Sequence, residues 1–150
     1  MKLSNNFSLS EFVRTETGLP NRPSQEAIAN LKYLVQYVLQ PARDKFGPIE
    51  VTSGYRSPEV NAAAGGVGAT SDHLFGRAAD IQCEDMASVF AYIRKYTHFK
   101  QLIWEFGTDS QPAWIHVSYE LNNNRGCSCP LGNPKPRPSP RCPCTCPSST

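Results

Sequence analysis

The chain has 150 residues, a formal net charge of +2 and an apolar fraction of 39%, which is enough for one compact domain. Its Lys and Arg residues do not cluster, so the composition excludes the basic footprint of a nucleic-acid-binding protein. No stretch approaches the roughly 18 apolar residues of a membrane span. Residues 1–6 lack the apolar segment of a secretory signal, so we expect synthesis in the cytoplasm without a signal peptide.

Two N-cap signals predict helices in the first third of the chain. A Ser-x-x-Glu capping box at Ser8 predicts a short helix that stops near residues 18–20. A second cap at Ser24 precedes apolar residues at helical spacing, which predicts a longer helix to about residue 40. Pro41 is then expected either to kink this helix or to force a restart.

Short strands with alternating apolar residues dominate the middle of the chain. The predicted strands are 49–53, 77–82, 101–106 and 113–119, and helices are predicted from Pro58 through the alanines that follow and over 86–96. The last two strands suit a hairpin with a loop of roughly six residues. Helices followed by such strands predict an α+β fold, with N-terminal helices packed on a small, mostly antiparallel sheet.

The composition changes near residue 122, which divides the chain into a domain over 1–122 and a tail over 123–150. Pro, Cys and Ser dominate the tail, which cannot bury enough apolar surface to offset its ordering entropy, so we predict that it is mostly disordered. Its cysteines are Cys127, Cys129, Cys142, Cys144 and Cys146. Their C-x-C spacing leaves soft-metal binding or disulfides open, but it matches zinc sites poorly, so we favour a tail without a catalytic role. Cys83, the one cysteine of the domain, is expected to be a small buried thiol.

Two histidines and one aspartate are candidates for a metal site. His73 precedes a predicted strand that carries Asp80, and Gly76 between them permits a left-handed turn that would bring the two side chains together. His116 lies on another strand, between apolar residues that point to the opposite face. Two imidazoles and a carboxylate suit Zn²⁺ with one position open for water. The His-x₆-Asp spacing is not diagnostic, and hydrogen-bonded histidines at a sheet edge remain an alternative.

Motifs in a fixed order add a family resemblance. They are TSGYRS at 52–57, NAAAGG at 61–66, SxHxxGxAxD at 71–80 and WIHVS at 114–118. Over about residues 5–121 the chain resembles the zinc D-Ala-D-Ala carboxypeptidases and L-alanyl-D-glutamate endopeptidases, which share the Hedgehog/DD-peptidase fold. Small phage-encoded members look most similar.

The resemblance implies roles for individual residues. It implies that His73, Asp80 and His116 bind Zn²⁺. Arg56, from the GYR motif, would hold a substrate carboxylate or carbonyl, because its guanidinium donates two parallel hydrogen bonds. A surface ion pair is the alternative role for Arg56. Ser71 would help to orient the substrate site, and a simple cap serine is its alternative.

The general base departs from the family pattern. Several members carry an acidic residue or a histidine two or three positions before the last ligand, where this chain has Ala113 and Trp114. Neither side chain transfers a proton. Glu105 on the preceding strand is the nearest replacement, since its aromatic neighbours would raise its pKa through desolvation. Asp109 in the following turn is the second choice.

The resemblance therefore predicts a zinc peptidase that cuts a peptide bond of the peptidoglycan stem peptide. Carboxypeptidase and endopeptidase activity both remain open, including the role of a phage endolysin. A zinc-containing but non-catalytic binding or virion-associated module of the same fold is the alternative. We expect a monomer whose partner is a peptidoglycan peptide, and which reaches the cell wall after phage-mediated release.

Overall fold

The computed structural model describes residues 1–65, 68–124 and 127–132 and shows an α+β fold, which confirms the predicted class. The α-helices of these residues are α1 Leu9–Val13, α2 Gln25–Leu34, α3 Gln40–Phe46, α4 Pro58–Ala63 and α5 Met86–Tyr96. The strands are β1 Glu50–Ser53, β2 Ala78–Gln82, β3 Gln101–Glu105, β4 Trp114–Ser118 and β5 Cys127–Gly132. Within the described ranges, no helix is long and apolar enough to cross a membrane.

The first helix begins where the capping box predicts it. The backbone N–H of Ser8 donates to Glu11 Oε2 at 2.7 Å. The helix ends at Val13, however, several residues before the predicted stop near 18–20. Arg14 is already extended, because its guanidinium donates to a β1 carbonyl at 3.0 Å and draws the chain along the sheet edge. A tertiary contact thus ends this helix.

Pro41 is accommodated by a π-helical turn between α2 and α3. The turn spans Val35–Leu39, and the N–H of Gln40 donates to the carbonyl of Val35. Because proline has no N–H and its ring crowds the carbonyl of the preceding turn, one extra residue in the turn removes the conflict. The helical run therefore continues to Phe46, with a local widening at the proline.

The sheet has the strand order β1-β2-β4-β3-β5. The pairs among β1, β2, β4 and β3 are antiparallel, whereas β5 lies parallel to β3. The predicted β3–β4 hairpin is present, with its connection over residues 106–113. This loop is longer than expected because Phe106 already has a positive φ of 52° and turns the chain away from β3.

Strand β5 lies within the segment that composition predicts to be disordered. Its backbone pairs with the free edge of β3, and such an edge offers hydrogen bonds that composition does not reveal. Residues 125, 126 and 133–150, which include Cys142, Cys144 and Cys146, lie outside the described residues, and the domain boundary at 122 stays a prediction. Cys83 is half-buried where a buried thiol was expected, and burial raises its pKa.

Strand alternation gives the sheet two chemically different faces. One face packs against α2, α5 and the π turn in a continuous core whose sheet residues include Ala79, Ile81, Leu102, Ile115 and Val117. The opposite face carries polar side chains in register. Asp80 on β2 is directly opposite His116 on β4, and Gln101 on β3 is opposite Ser118. The apolar face therefore fixes the strands that present the polar groups.

Candidate metal centre

Three predicted ligands meet on the polar face of the sheet. His73, Asp80 and His116 each offer one ligand atom, and these atoms lie within 4.8 Å of one another. Asp80 Oδ1 is 3.0 Å from His116 Nδ1 and 3.5 Å from His73 Nε2. The two imidazole rings meet at 63°, with centroids 5.2 Å apart. The structure thus brings together the side chains that the sequence separates by up to 43 positions, from His73 to His116.

The two separations that involve Asp80 are close to those of a tetrahedral zinc site. Ligand atoms about 2.0–2.2 Å from one zinc ion lie about 3.3–3.5 Å apart along a tetrahedron edge. Both measured separations from Asp80 Oδ1 are close to that edge. Two imidazoles and one carboxylate also leave a fourth position for water or substrate. The residues present therefore suit a catalytic metal ion, although the same donors are compatible with other divalent metals.

A short 3₁₀ turn, Asp72–Phe75, places His73 over the sheet. Ser71 caps this turn, since its Oγ accepts from the N–H of His73 at 3.3 Å, and Gly76 ends it with φ of 71°. A Cβ at Gly76 would lie 2.3 Å from the carbonyl oxygen of Ala27, so both the turn and its packing on α2 require glycine. The predicted left-handed turn is present.

The hydrogen bond of His73 Nδ1 selects its tautomer. Nδ1 lies 2.7 Å from the carbonyl oxygen of Gly54, so Nδ1 carries the proton and Nε2 presents its lone pair to the ligand cluster. Gly54 itself lies against α1, where a Cβ would come within 2.6 Å of the Phe12 carbonyl oxygen. The TSGYRS motif therefore supplies part of the metal site through its backbone, a role that its sequence does not reveal.

Arg56 contacts the ligand cluster directly. Its Nη2 donates to Asp80 Oδ2 at 3.3 Å, and its Nε donates to Ser53 Oγ at 3.0 Å. Because Arg56 contacts Oδ2 of Asp80, the other carboxylate oxygen, Oδ1, remains available to the two histidines. In this structure the guanidinium orients a ligand, whereas the sequence assigned Arg56 to substrate. Ser71 is buried, with 3% exposure, and orients the backbone of His73.

Electrostatics at the cluster favour an ionised carboxylate. Burial alone would raise the pKa of Asp80, but the charges and hydrogen bonds of His73 and His116 outweigh it and hold that pKa well below its usual range. Burial would lower the pKa of His116, but the hydrogen bond to Asp80 and the charges of Asp80, Glu105 and Asp72 together outweigh burial and raise that pKa. Asp80 therefore carries a negative charge that is available to a cation at the cluster.

Glu105 lies at the rim of the cluster. It shares the polar face, and its neighbour two positions back, Ile103, is directly opposite His116. This diagonal separation of roughly 7–8 Å is within reach of a glutamate side chain. Burial raises the pKa of Glu105, and the charge of His116 partly opposes that shift. Asp109 is exposed in the 106–113 loop, and His98 is exposed and lies outside the ligand cluster.

Sequence reasoning missed an ionic network beside the site, in which Asp72 is buried and its partners are partly exposed. Asp72 is 2% exposed, and its Oδ1 accepts from Lys100 Nζ at 2.9 Å. Lys100 also contacts Glu120 Oε2 at 3.0 Å, and Arg77 contacts Glu120 Oε1 at 3.3 Å. Asp72 directly precedes His73 in the motif, and this adjacency was the one available signal.

Two grooves border the cluster's supporting elements. One has a volume of about 650 Å³ and is lined by residues that include Arg56, Ser53, Thr52 and Glu50. The other, of about 510 Å³, lies beside Leu74 and Phe75 and is more apolar. The first groove therefore reaches the guanidinium that contacts Asp80.

Candidate metal ligands on the polar face of an α+β sheet, with a carboxylate at their rim, are compatible with a metallopeptidase. A family model described as Peptidase M15 matches residues 5–118, which include all three candidate ligands and Glu105. The chain belongs to the peptidase M15 family, and this membership confirms the resemblance drawn from the motifs. No curated protein matches the chain.

Proposed function

We propose that this M15 peptidase is a zinc enzyme that hydrolyses a peptide bond in the stem peptide of peptidoglycan. The observation that carries the proposal is the buried cluster of His73, Asp80 and His116, in which both separations from Asp80 Oδ1 suit a tetrahedral zinc ion. Membership of a peptidase family supports the reaction class. Peptidoglycan is the substrate class that the motif resemblance implies.

A bound zinc ion and Glu105 would perform different parts of the reaction. When bound, zinc polarises the scissile carbonyl and lowers the pKa of a water molecule. Glu105 accepts the proton that this water loses as it attacks, and then delivers the proton to the amine nitrogen of the leaving group. The raised pKa of Glu105 suits both transfers, because the carboxyl can hold the proton between the two steps.

The polar groove beside the cluster is the proposed route for the substrate peptide. It contains both the Arg14 and Arg56 guanidinium groups and the carboxylates of Glu16 and Glu50. A stem peptide carries amines and carboxylates, so it offers partners to both signs of charge. Arg56 lines this groove and contacts Asp80, which makes it the residue through which bound peptide and metal site would communicate.

The proposal is tested by zinc analysis and by cleavage of defined muropeptides. The purified protein should contain one zinc per chain, and cleavage should stop with chelator and return with added zinc. His116→Ala should lose both zinc and cleavage. Full cleavage by a zinc-free His116→Ala variant would overturn the proposal, and stoichiometric zinc without cleavage of any muropeptide would favour the non-catalytic binding module.

The masses of the products would also identify the bond. Release of a terminal D-Ala indicates a carboxypeptidase, whereas cleavage inside the stem indicates an endopeptidase. We further propose that the enzyme acts on the cell wall after phage-mediated release from the cytoplasm, in the manner of an endolysin. Lysis of cells by protein added from outside, compared with protein accumulated inside them, tests this location.

A further inference from the structure

Behind His116 lies a cluster of buried polar atoms without a hydrogen-bond partner among the described residues. These atoms are His116 Nε2, Ser118 Oγ, Gln101 Oε1 and Asp72 Oδ2. Their residues are at most 6% exposed. Native proteins leave few buried polar atoms unpaired, so four in one region indicate a specific arrangement. We refer to these four residues as the buried polar cluster.

Sheet register places three members of the buried polar cluster together. Ser118 follows His116 by two positions on β4, so both side chains lie on the same face. Gln101 on β3 is directly opposite Ser118. Side chains that face each other in this way have Cβ atoms about 4.5–5.5 Å apart.

Two connections hold Asp72 at the same end of the sheet. Lys100 donates its backbone N–H to the Ser118 carbonyl at 2.8 Å, and its Nζ contacts Asp72 Oδ1 at 2.9 Å. The N–H of Arg77 donates to the Asp72 carbonyl at 3.0 Å, just before Ala78 pairs with Ser118. Asp72 therefore lies at the Ser118 end of the polar face of the sheet.

When His116 binds a metal through Nδ1, the buried polar cluster has equal numbers of hydrogen-bond donors and acceptors. Its ring proton then resides on Nε2, which becomes a donor. Ser118 offers a second donor, while Asp72 Oδ2 and Gln101 Oε1 are acceptors. One internal water that accepts two hydrogen bonds and donates two would satisfy all four atoms.

We propose that Asp72 is a positioning residue of the metal site, which accepts the Nε2 proton of His116 within the buried polar cluster. The hydrogen bond runs either directly or through one internal water shared with Gln101 and Ser118. It fixes the tautomer that presents the Nδ1 lone pair to the metal, as outer carboxylates do for metal-bound histidines elsewhere. The inference rests on the proposed zinc site. It concerns a position that the SxHxxGxAxD motif leaves unspecified.

Lys100 provides a matched control, because it holds the other oxygen of Asp72. Asp72→Leu removes both carboxylate oxygens at similar size, whereas Asp72→Asn keeps one acceptor oxygen. Lys100→Gln keeps a donor toward Asp72 Oδ1 but removes the ionic pair. If the Asp72–Lys100 pair acted only through its charge or its packing, Asp72→Leu and Lys100→Gln would weaken zinc binding equally.

The experiment measures zinc affinity by competition with a chromogenic chelator, and the His116 ring proton by NMR of ¹⁵N-histidine-labelled, zinc-loaded protein. We expect wild-type His116 to carry a slowly exchanging proton on Nε2. Asp72→Leu should bind zinc about 10- to 100-fold more weakly and lose the protection of this proton. Asp72→Asn should lose less zinc affinity than Asp72→Leu, and the zinc affinity of Lys100→Gln should fall by less than about tenfold. The melting temperature of each metal-free variant separates a folding defect from a metal-site defect.

Different outcomes overturn different proposals. A wild-type protein that binds no zinc would overturn both the proposed function and this inference. Zinc binding with the His116 proton on Nδ1 would overturn this inference alone, even if Asp72→Leu does not fold. Two further results would overturn this inference and leave the proposed function intact. One is a folded Asp72→Leu variant with wild-type zinc affinity. The other is a Lys100→Gln variant that loses as much zinc affinity as Asp72→Leu.

Discussion

His116 Nδ1 and Asp80 Oδ1 lie 3.0 Å apart at directly opposed positions of two antiparallel strands. The backbone pairing of β2 with β4 therefore sets the distance between two of the three candidate ligands. A third ligand, His73, comes from a turn that is held by Ser71 and by the Gly54 carbonyl. The rigid sheet and the capped turn together preorganise the site.

Glu105→Gln separates metal binding from proton transfer. The amide keeps the size of the side chain but cannot accept the proton of the attacking water, so we expect stoichiometric zinc and about 10²- to 10⁴-fold slower muropeptide cleavage. Asp109→Asn, in the exposed loop, is the matched control and should retain wild-type turnover. Slow cleavage by Asp109→Asn together with normal cleavage by Glu105→Gln would move the general base to Asp109.

Arg56→Gln distinguishes a ligand-orienting role from a substrate-binding role. Loss of the contact with Asp80 Oδ2 should weaken zinc binding by about tenfold or more. A residue that only holds substrate would instead raise KM and leave zinc affinity unchanged. Arg94→Gln, at an exposed position of α5, is the control for loss of one positive charge. Chelator competition and steady-state kinetics on the same preparations decide between the two roles.

Gly76→Ala should destabilise the fold more than Gly18→Ala. Both glycines have a positive φ, 71° and 73°, so an alanine at either position costs roughly 1–2 kcal/mol of backbone strain. Only at Gly76 would the new Cβ also collide with a neighbour, the Ala27 carbonyl oxygen at 2.3 Å. Urea denaturation of the metal-free proteins measures the free energy of unfolding. Equal losses would show that the turn can move away from α2 without cost.

Glu120→Gln should lower stability near neutral pH by about 0.5–1 kcal/mol, the range of a partly exposed ion pair. Burial would raise the pKa of Glu120, but Lys100, Asn123 and Arg77 outweigh it and lower that pKa. A lowered folded-state pKa contributes stability above the unfolded value, and this stability is lost as pH falls through the folded value. The difference between wild type and variant should therefore shrink as the pH falls below about 4. A difference that grows in acid would contradict the assigned pairing.

The sequence predicted the fold class because alternation and caps are local signals, and the motif resemblance named the three candidate ligands that the structure brings together. The N-cap at Ser24, helix α5 and the left-handed turn at Gly76 all appear where these signals put them. The early end of α1 was not predictable in this way. It depends on the contact of Arg14 with a strand 37 positions away, and no local pattern encodes that contact.

The surroundings of the metal site were the least predictable part. The motif resemblance assigned Arg56 to substrate, whereas in the structure its guanidinium contacts the carboxylate of Asp80. Neither Asp72 nor Lys100 can be recognised from the sequence, since an isolated acidic or basic residue is usually solvated. Only the three-dimensional arrangement shows that Lys100 pairs with the buried carboxylate of Asp72.

The alternation of β2 and β4 couples the chemistry of this protein to the accuracy of its folding. A slip of one position would turn Ile81 or Val117 toward the site and send Asp80 or His116 into the apolar core. Misregistered molecules would thus lose their ligands and their core together. Stoichiometric zinc binding in solution would then mark correctly paired chains, because only the correct register brings Asp80 and His116 to the same face.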